Sequence, residues 1–104
     1  MAKWPKSETW YDGVRKEFRF ENGYIISLVK FTGSYGYKQG LWELAIMNKD
    51  GDFEDPPYEE VLKVLDDYRQ ADPGIYGYLN DPEADRIIQI VEKIDASEIR
   101  TKCS

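Results

Sequence analysis

The chain contains no histidine among its 104 residues, and this removes much of the usual catalytic repertoire. Ser-His and Cys-His nucleophile pairs are excluded, as is any histidine-ligated metal centre. No GxxxxGK[ST] phosphate loop occurs, and no GxGxxG follows a strand pattern. The single cysteine, Cys103, cannot form an intrachain disulfide, which fits a reducing compartment; so near the C-terminal end it reads as a bystander rather than a reactive thiol. No apolar run approaches the roughly 20 residues that a bilayer-crossing helix needs. The opening MAKWPKSETW also lacks the apolar stretch of a signal peptide, so the expectation is a soluble cytoplasmic protein with no membrane partner.

What is present describes a folded domain. Hydrophobic residues make up 41% of the chain and aromatic residues 14%, with eight tyrosines. That is enough for one modest core and too little chain for two. The net charge of −6 is unevenly placed. Residues 1–47 carry seven Lys and Arg against five Asp and Glu, whereas residues 48–104 carry seven against fifteen. An acidic second half repels phosphate, which argues against direct nucleic-acid binding and against anionic lipid.

The stretch Glu17 to Met47 organises the rest. Phe18 and Phe20 alternate with Glu17, Arg19 and Glu21, the period of a half-buried strand beginning near Arg15. Asn22-Gly23 suits a two-residue type I′ turn, which sets Phe20 opposite Ile25 and Glu21 opposite Tyr24. This register gathers Phe18, Phe20, Ile25, Ser27, Val29 and Phe31 on one face, the predicted core side. Tyr24, Ile26 and Leu28 then line the other face of a central strand over Tyr24 to Thr32, a face that needs cover from the N-terminal aromatics or a partner. A third strand runs from Leu41 to Met47, and Asp52 to Glu54 is a candidate edge strand after the Asn48-Lys49-Asp50-Gly51 turn.

Helical spacing follows. Pro56 and Pro57 suit a first helical turn, and Tyr58, Val61, Leu62, Leu65 and Tyr68 recur at intervals of three and four up to a break at Asp72-Pro73-Gly74. A second helix starts at Asn80 or Asp81, with Pro82 in its first turn and Ile87, Ile88, Val91 and Ile94 as its stripe. The expected fold is therefore α+β, an antiparallel three- to four-stranded meander with two C-terminal helices packed on one face. Residues 1–14 form an N-terminal aromatic segment expected to dock on this domain, residues 15–96 the domain itself, and residues 97–104 a C-terminal tail.

Two patterns bear on function. Asn48, Asp50, Asp52, Glu54 and Glu59 fall at calcium-loop spacing, but Phe53 stands where the sharp turn needs glycine and Pro56-Pro57 interrupts the loop. A hairpin turn is the better reading, and no metal or other cofactor is expected. The loop Gly33-Ser34-Tyr35-Gly36-Tyr37-Lys38-Gln39-Gly40 is the better candidate, because glycines allow close backbone approach while Tyr35 and Tyr37 can stack or anchor and Lys38 adds charge. Gly74-Ile75-Tyr76-Gly77-Tyr78 repeats its Gly-x-Tyr-Gly-Tyr spacing. If the two loops meet, they form a tyrosine-rich rim for a protein or a nucleotide; Trp42, at the start of the third strand, joins this set. The acidic run that includes Asp66 and Asp67 is a second candidate surface, able to imitate the phosphate array of DNA. The plain alternatives are that the glycines only shape turns and the acids only face solvent.

The run Asn22-Gly23-Tyr24, then Ser34-Tyr35-Gly36, Gly40-Leu41-Trp42-Glu43-Leu44-Ala45, Asp50-Gly51 and Gly77-Tyr78-Leu79 resembles a group of small uncharacterised accessory proteins of tailed phages. The resemblance covers roughly Phe18 to Ile94. It implies a setting rather than a mechanism: a phage accessory protein in the host bacterial cytoplasm. The expectation is a non-enzymatic binding protein that engages a host protein, with inhibition of a defence or nucleic-acid enzyme as one outcome. A small-molecule or nucleotide binder using the Tyr/Gly-rich loops is the alternative, and a homodimer through an uncovered strand face stays open.

Overall fold

The structure, a computed structural model, describes residues 4–95. The proposed tail over residues 97–104, with Cys103, lies outside the described residues. In chain order the elements are β1 (Glu8–Trp10), β2 (Gly13–Arg19), β3 (Ile25–Lys30), β4 (Trp42–Met47), α1 (Glu59–Leu65), β5 (Gln70–Asp72), β6 (Ile75–Leu79) and α2 (Asp81–Glu92). The strands form one antiparallel sheet in the order β1-β2-β3-β4-β6-β5, and both helices cover one face. The fold is α+β as expected, with six strands instead of three or four.

The hairpin between β2 and β3 differs by one residue from the expected register. Phe18 pairs with Ile26 and Arg19 with Ile25. Three residues, Glu21-Asn22-Gly23, make the loop, with the Gly23 amide donating to the Phe20 carbonyl and Gly23 at φ 94°. This is a type I turn closed by a left-handed residue rather than a type I′ turn. The side chain of Asn22 explains the preference. Its amide donates to the carbonyls of Val91 and Ile94 at 2.8 and 2.9 Å, and its oxygen accepts from the Tyr24 amide at 3.0 Å. The turn thus holds the C-terminal end of α2 and the chain just beyond it, where carbonyls run out of helical partners.

A slip of one residue turns every side chain of a strand over. The core face consequently carries Tyr24, Ile26 and Leu28 with Phe18, packed on Trp42, Leu44 and Ile46 of β4 and on Ala84, Ile87, Ile88, Val91 and Ile94 of the second helical segment. Ile25, Ser27 and Val29, expected inside, lie on the opposite, helix-free face. Arg15 sits there with them, its guanidinium donating to Ser27 Oγ and ion-paired with Glu8 at 2.8 Å and Glu17 at 2.7 Å. Burial opposes the Arg15 charge, but the hydrogen bonds to Glu8 and Glu17 outweigh it and raise its pKa. The Arg15 hydrogen bond, helped by Arg19, in turn holds Glu17 below the usual carboxylate range against the opposing effect of burial.

The helix expected over Pro56 to Ala71 is only seven residues long. After Leu65 the chain turns and enters β5, because Gln70 has a partner: its amide reaches Asp55 Oδ2 at 2.6 Å and the Tyr76 hydroxyl at 3.2 Å. Asp72-Pro73-Gly74 is the β5–β6 hairpin turn rather than a helix stop, and GIYGYL is largely strand β6, laid against β4 where an Asp52–Glu54 edge strand was expected. The Asp52–Glu54 stretch makes one isolated bridge, Met47 to Phe53. Helix α2 starts as predicted, with a reciprocal capping box between Asn80 and Glu83.

The N-terminal segment docks on the helix side. Trp4 packs edge-on against Phe18 and Trp42, at centroid distances of 6.3 and 5.9 Å, and its indole N–H donates to Asp85 at 2.9 Å. Lys16 holds the Pro5 carbonyl at 2.7 Å. Residues 8–10 go on to form the edge strand β1.

Candidate functional site

The two Gly-x-Tyr-Gly-Tyr segments meet. The β3–β4 loop is closed by Ser34, a buried residue whose hydroxyl both accepts from the Phe31 amide (3.0 Å) and donates to its carbonyl (2.8 Å). That turn delivers Tyr35 onto the helix-free face, where its amide donates to Glu43 at 3.2 Å. A single 3-10 turn over Tyr37–Gln39, framed by Gly36 and Gly40 at positive φ, then leads into β4.

From the other side comes the end of β6. Between Leu44, which pairs with Tyr76, and Trp42, which pairs with Leu79, the register shifts by one residue. The extra residue is Tyr78, held at φ 58°. A left-handed backbone with a Cβ costs about 1–2 kcal/mol, and such a conformation lasts only where its surroundings enforce it. Here the enforcement is reciprocal. A Cβ on Gly77 would stand 2.5 Å from the Cβ of Tyr35, and one on Gly36 would stand 3.0 Å from the Cα of Tyr78. Each tyrosine therefore sits in the space left by the other segment's glycine. The Tyr35 and Tyr78 rings lie 6.5 Å apart at 41°, and the Arg69 guanidinium covers the Tyr78 ring at 5.6 Å.

The rings remain accessible. Tyr35 is 46% exposed, and Tyr37 and Tyr78 are each 39% exposed. Lys38 is exposed beside Tyr37 and makes no ion pair among the described residues. This arrangement offers flat aromatic surface, phenolic hydroxyls and two cations. It offers no nucleophile beside a base, and no group of three His, Cys, Asp or Glu among the described residues could hold a metal ion.

The remaining candidates lie elsewhere. Tyr76 is on the core face and 2% exposed; burial first, then its hydrogen bond to Asp55, raises its pKa above the ordinary phenol value. It cannot share a pocket with Tyr35, Tyr37, Lys38 and Tyr78 across the sheet. Trp42 is also a core residue, its indole N–H donating to Asp81 at 2.7 Å and its ring covered by the Lys30 ammonium at 4.1 Å. Asp66 and Asp67 are exposed at the end of α1, where Asp66 borders a cavity of about 360 Å³ that also reaches Asp55, Leu62 and Tyr76. Arg69 was missed in the sequence because the helical spacing of residues 58–68 hid the strand that begins immediately after it. No described helix is long and apolar enough to cross a membrane. Comparisons with family models, with curated proteins and with solved structures find no match for this chain.

Proposed function

We propose that the chain is a non-enzymatic binding protein that anchors a partner protein on the Tyr35–Tyr78 junction, with Tyr37 and Lys38 at its margin. The observation that carries this reading is the interlock itself. Two accessible tyrosines are held in a fixed relation by glycines whose replacement would force the segments apart. Rigid, amphipathic aromatics are the residues that most often dominate protein interfaces, because little entropy is lost when they are buried. The resemblance to phage accessory proteins supports a host protein as the partner, in the host cytoplasm, and inhibition of a defence or nucleic-acid enzyme as the consequence.

The test is affinity capture from bacterial lysate with the tagged chain, at low and high salt. A specific protein retained at both salts by the wild type and lost by Tyr35→Ala is the expected result. Retention unaffected by Tyr35→Ala, but abolished by charge reversal at Asp66 and Asp67, would refute the junction and transfer the function to the acidic surface.

A further inference from the structure

The junction alone is small for a stable interface. At roughly 200 Å² per aromatic side chain, the exposed fractions of Tyr35, Tyr37 and Tyr78 amount to roughly 250 Å², whereas a standard interface takes about 800 Å² from each partner. More surface of the same kind adjoins it. The β1–β2 turn lies at the same end of the sheet, since Trp10 pairs with Gly13 and the start of β2 lies beside the end of β3. Tyr11 forms that turn at φ 53° and is 79% exposed, while Trp10 is 36% exposed.

The two regions are physically continuous. Tyr11 stacks on Phe31 at 5.2 Å and 29°, and Trp10 meets Tyr11 edge-on at 5.4 Å. The Phe31 ring lies against Gly33, 3.0 Å from where a Cβ would stand, and Ser34 ties Phe31 to the turn that presents Tyr35. Adding Trp10 and Tyr11 brings the aromatic contribution to roughly 500 Å². The paired charges on this helix-free face offset one another, Arg15 with Glu8 and Glu17 and Arg19 with Glu17 at 2.9 Å, and the two cations beside the tyrosines, Lys38 and Arg69, are matched in number by Asp12 in the β1–β2 turn and Glu43 at the Tyr35 amide. An aromatic surface whose charges balance has no net field to steer nucleic acid.

We infer that Trp10 and Tyr11 extend the Tyr35–Tyr78 junction into one interface across the end of the sheet, and that it takes a folded protein through an uncharged, ring-accepting surface. This rests on the reading proposed above. Two loops and the end of β6, together rich in Tyr and Gly and set on a rigid sheet, resemble an antibody paratope in composition and in physics, and binding through them is insensitive to salt.

The test uses the protein that the full chain retains from bacterial lysate at about 0.05 and about 0.5 M NaCl, identified, purified and titrated against four forms of the chain. Wild type, Tyr11→Asn, Tyr35→Ser and Phe53→Ser are first shown to melt cooperatively. Asn tolerates the left-handed turn at position 11, and Phe53 is an exposed aromatic at the opposite end of the sheet. The expected result is a Kd that changes less than about threefold between the two salts, rises more than about tenfold in Tyr11→Asn and in Tyr35→Ser, and is unchanged in Phe53→Ser. Wild-type binding by Tyr11→Asn with loss in Tyr35→Ser overturns the extension and leaves the junction standing. Wild-type binding by both, or no retained protein, overturns both readings. A strong salt dependence overturns the uncharged partner, and a homodimer that Tyr11→Asn dissociates makes a second copy of this chain the occupant instead.

Discussion

Removing the Tyr78 ring in two ways separates what its side chain does from what its backbone does. Tyr78→Ala and Tyr78→Gly both delete the contacts with Tyr35 and Arg69, so the difference between them reports on φ 58° alone. At an ordinary strand position alanine is the more stable by about 0.5–1 kcal/mol, because glycine loses more freedom on folding. At a left-handed position the alanine Cβ meets the following carbonyl oxygen, at about 1–2 kcal/mol. The balance inverts the usual order, and Tyr78→Gly is expected to be more stable than Tyr78→Ala by about 1 kcal/mol. For a domain of this size that separates the melting temperatures by about 4–8 °C. Thermal melts followed by circular dichroism, with urea titrations to confirm equal m-values, measure it. Equal stability, or alanine above glycine, would refute the argument that the interlock holds Tyr78 in a conformation its side chain disfavours.

Other substitutions probe the elements that support this arrangement. Gly77→Ala drives a methyl to within 2.5 Å of Tyr35 Cβ and is expected to lose about 1–3 kcal/mol in urea titration; a loss under about 0.5 kcal/mol would mean that the segments part freely. Asn22→Ala strips its donor from the carbonyls of Val91 and Ile94 and its acceptor from Tyr24, with an expected loss of about 2 kcal/mol; a neutral result would detach the hairpin register from α2. Trp4→Phe keeps a ring against Phe18 and Trp42 but withdraws the indole N–H from Asp85, for about 1–3 kcal/mol, whereas an unchanged melt would make the N-terminal segment dispensable. Burial, with hydrogen bonds to Tyr58 and Asp55 respectively, raises the pKa of Tyr24 and Tyr76 above the ordinary phenol value. Their contribution is therefore complete below about pH 10 and declines above it, by about 1.4 kcal/mol per pH unit for each tyrosine. Tyr76→Phe should flatten that alkaline decline, and an unaltered slope would refute the assignment.

Some of this was legible because local chemistry and tertiary demand agree. Asn80, Pro82 and Glu83 announce the start of α2, and the structure uses Asn80 and Glu83 in its capping box. The Asn22-Gly23 pair announces a turn equally well, yet its loop length is decided elsewhere, by carbonyls at and beyond the end of α2, some 70 residues away, that the Asn22 amide reaches. Nothing within residues 17–31 encodes that distant contact, and the single-residue slip it favours exchanged the two faces of β3. The strand at Gln70–Asp72 was hidden for a related reason. Its residues have no β-forming bias, and they are held in the sheet by the Asp55, Gln70 and Tyr76 side-chain network rather than by propensity.

The repeated Gly-x-Tyr-Gly-Tyr spacing carries the clearest separation between pattern and placement. In the first copy the middle tyrosine, Tyr35, faces outward over Gly77; in the second, Tyr76 faces the core and bonds Asp55, because one copy is a loop and the other a strand with period two. What the copies share is the glycine between the tyrosines, and each glycine admits the other copy's tyrosine. Among the described residues, the only non-glycine positions at positive φ are Tyr11, in the β1–β2 turn, and Tyr78, at the bulged end of β6, and both present exposed rings at one end of the sheet. Asparagine or glycine would occupy either position with less backbone strain, so backbone preference does not account for a tyrosine at both. The proposed interface would supply a reason for an aromatic ring held outward against backbone preference, and the Tyr11→Asn and Tyr35→Ser titrations address that interface directly.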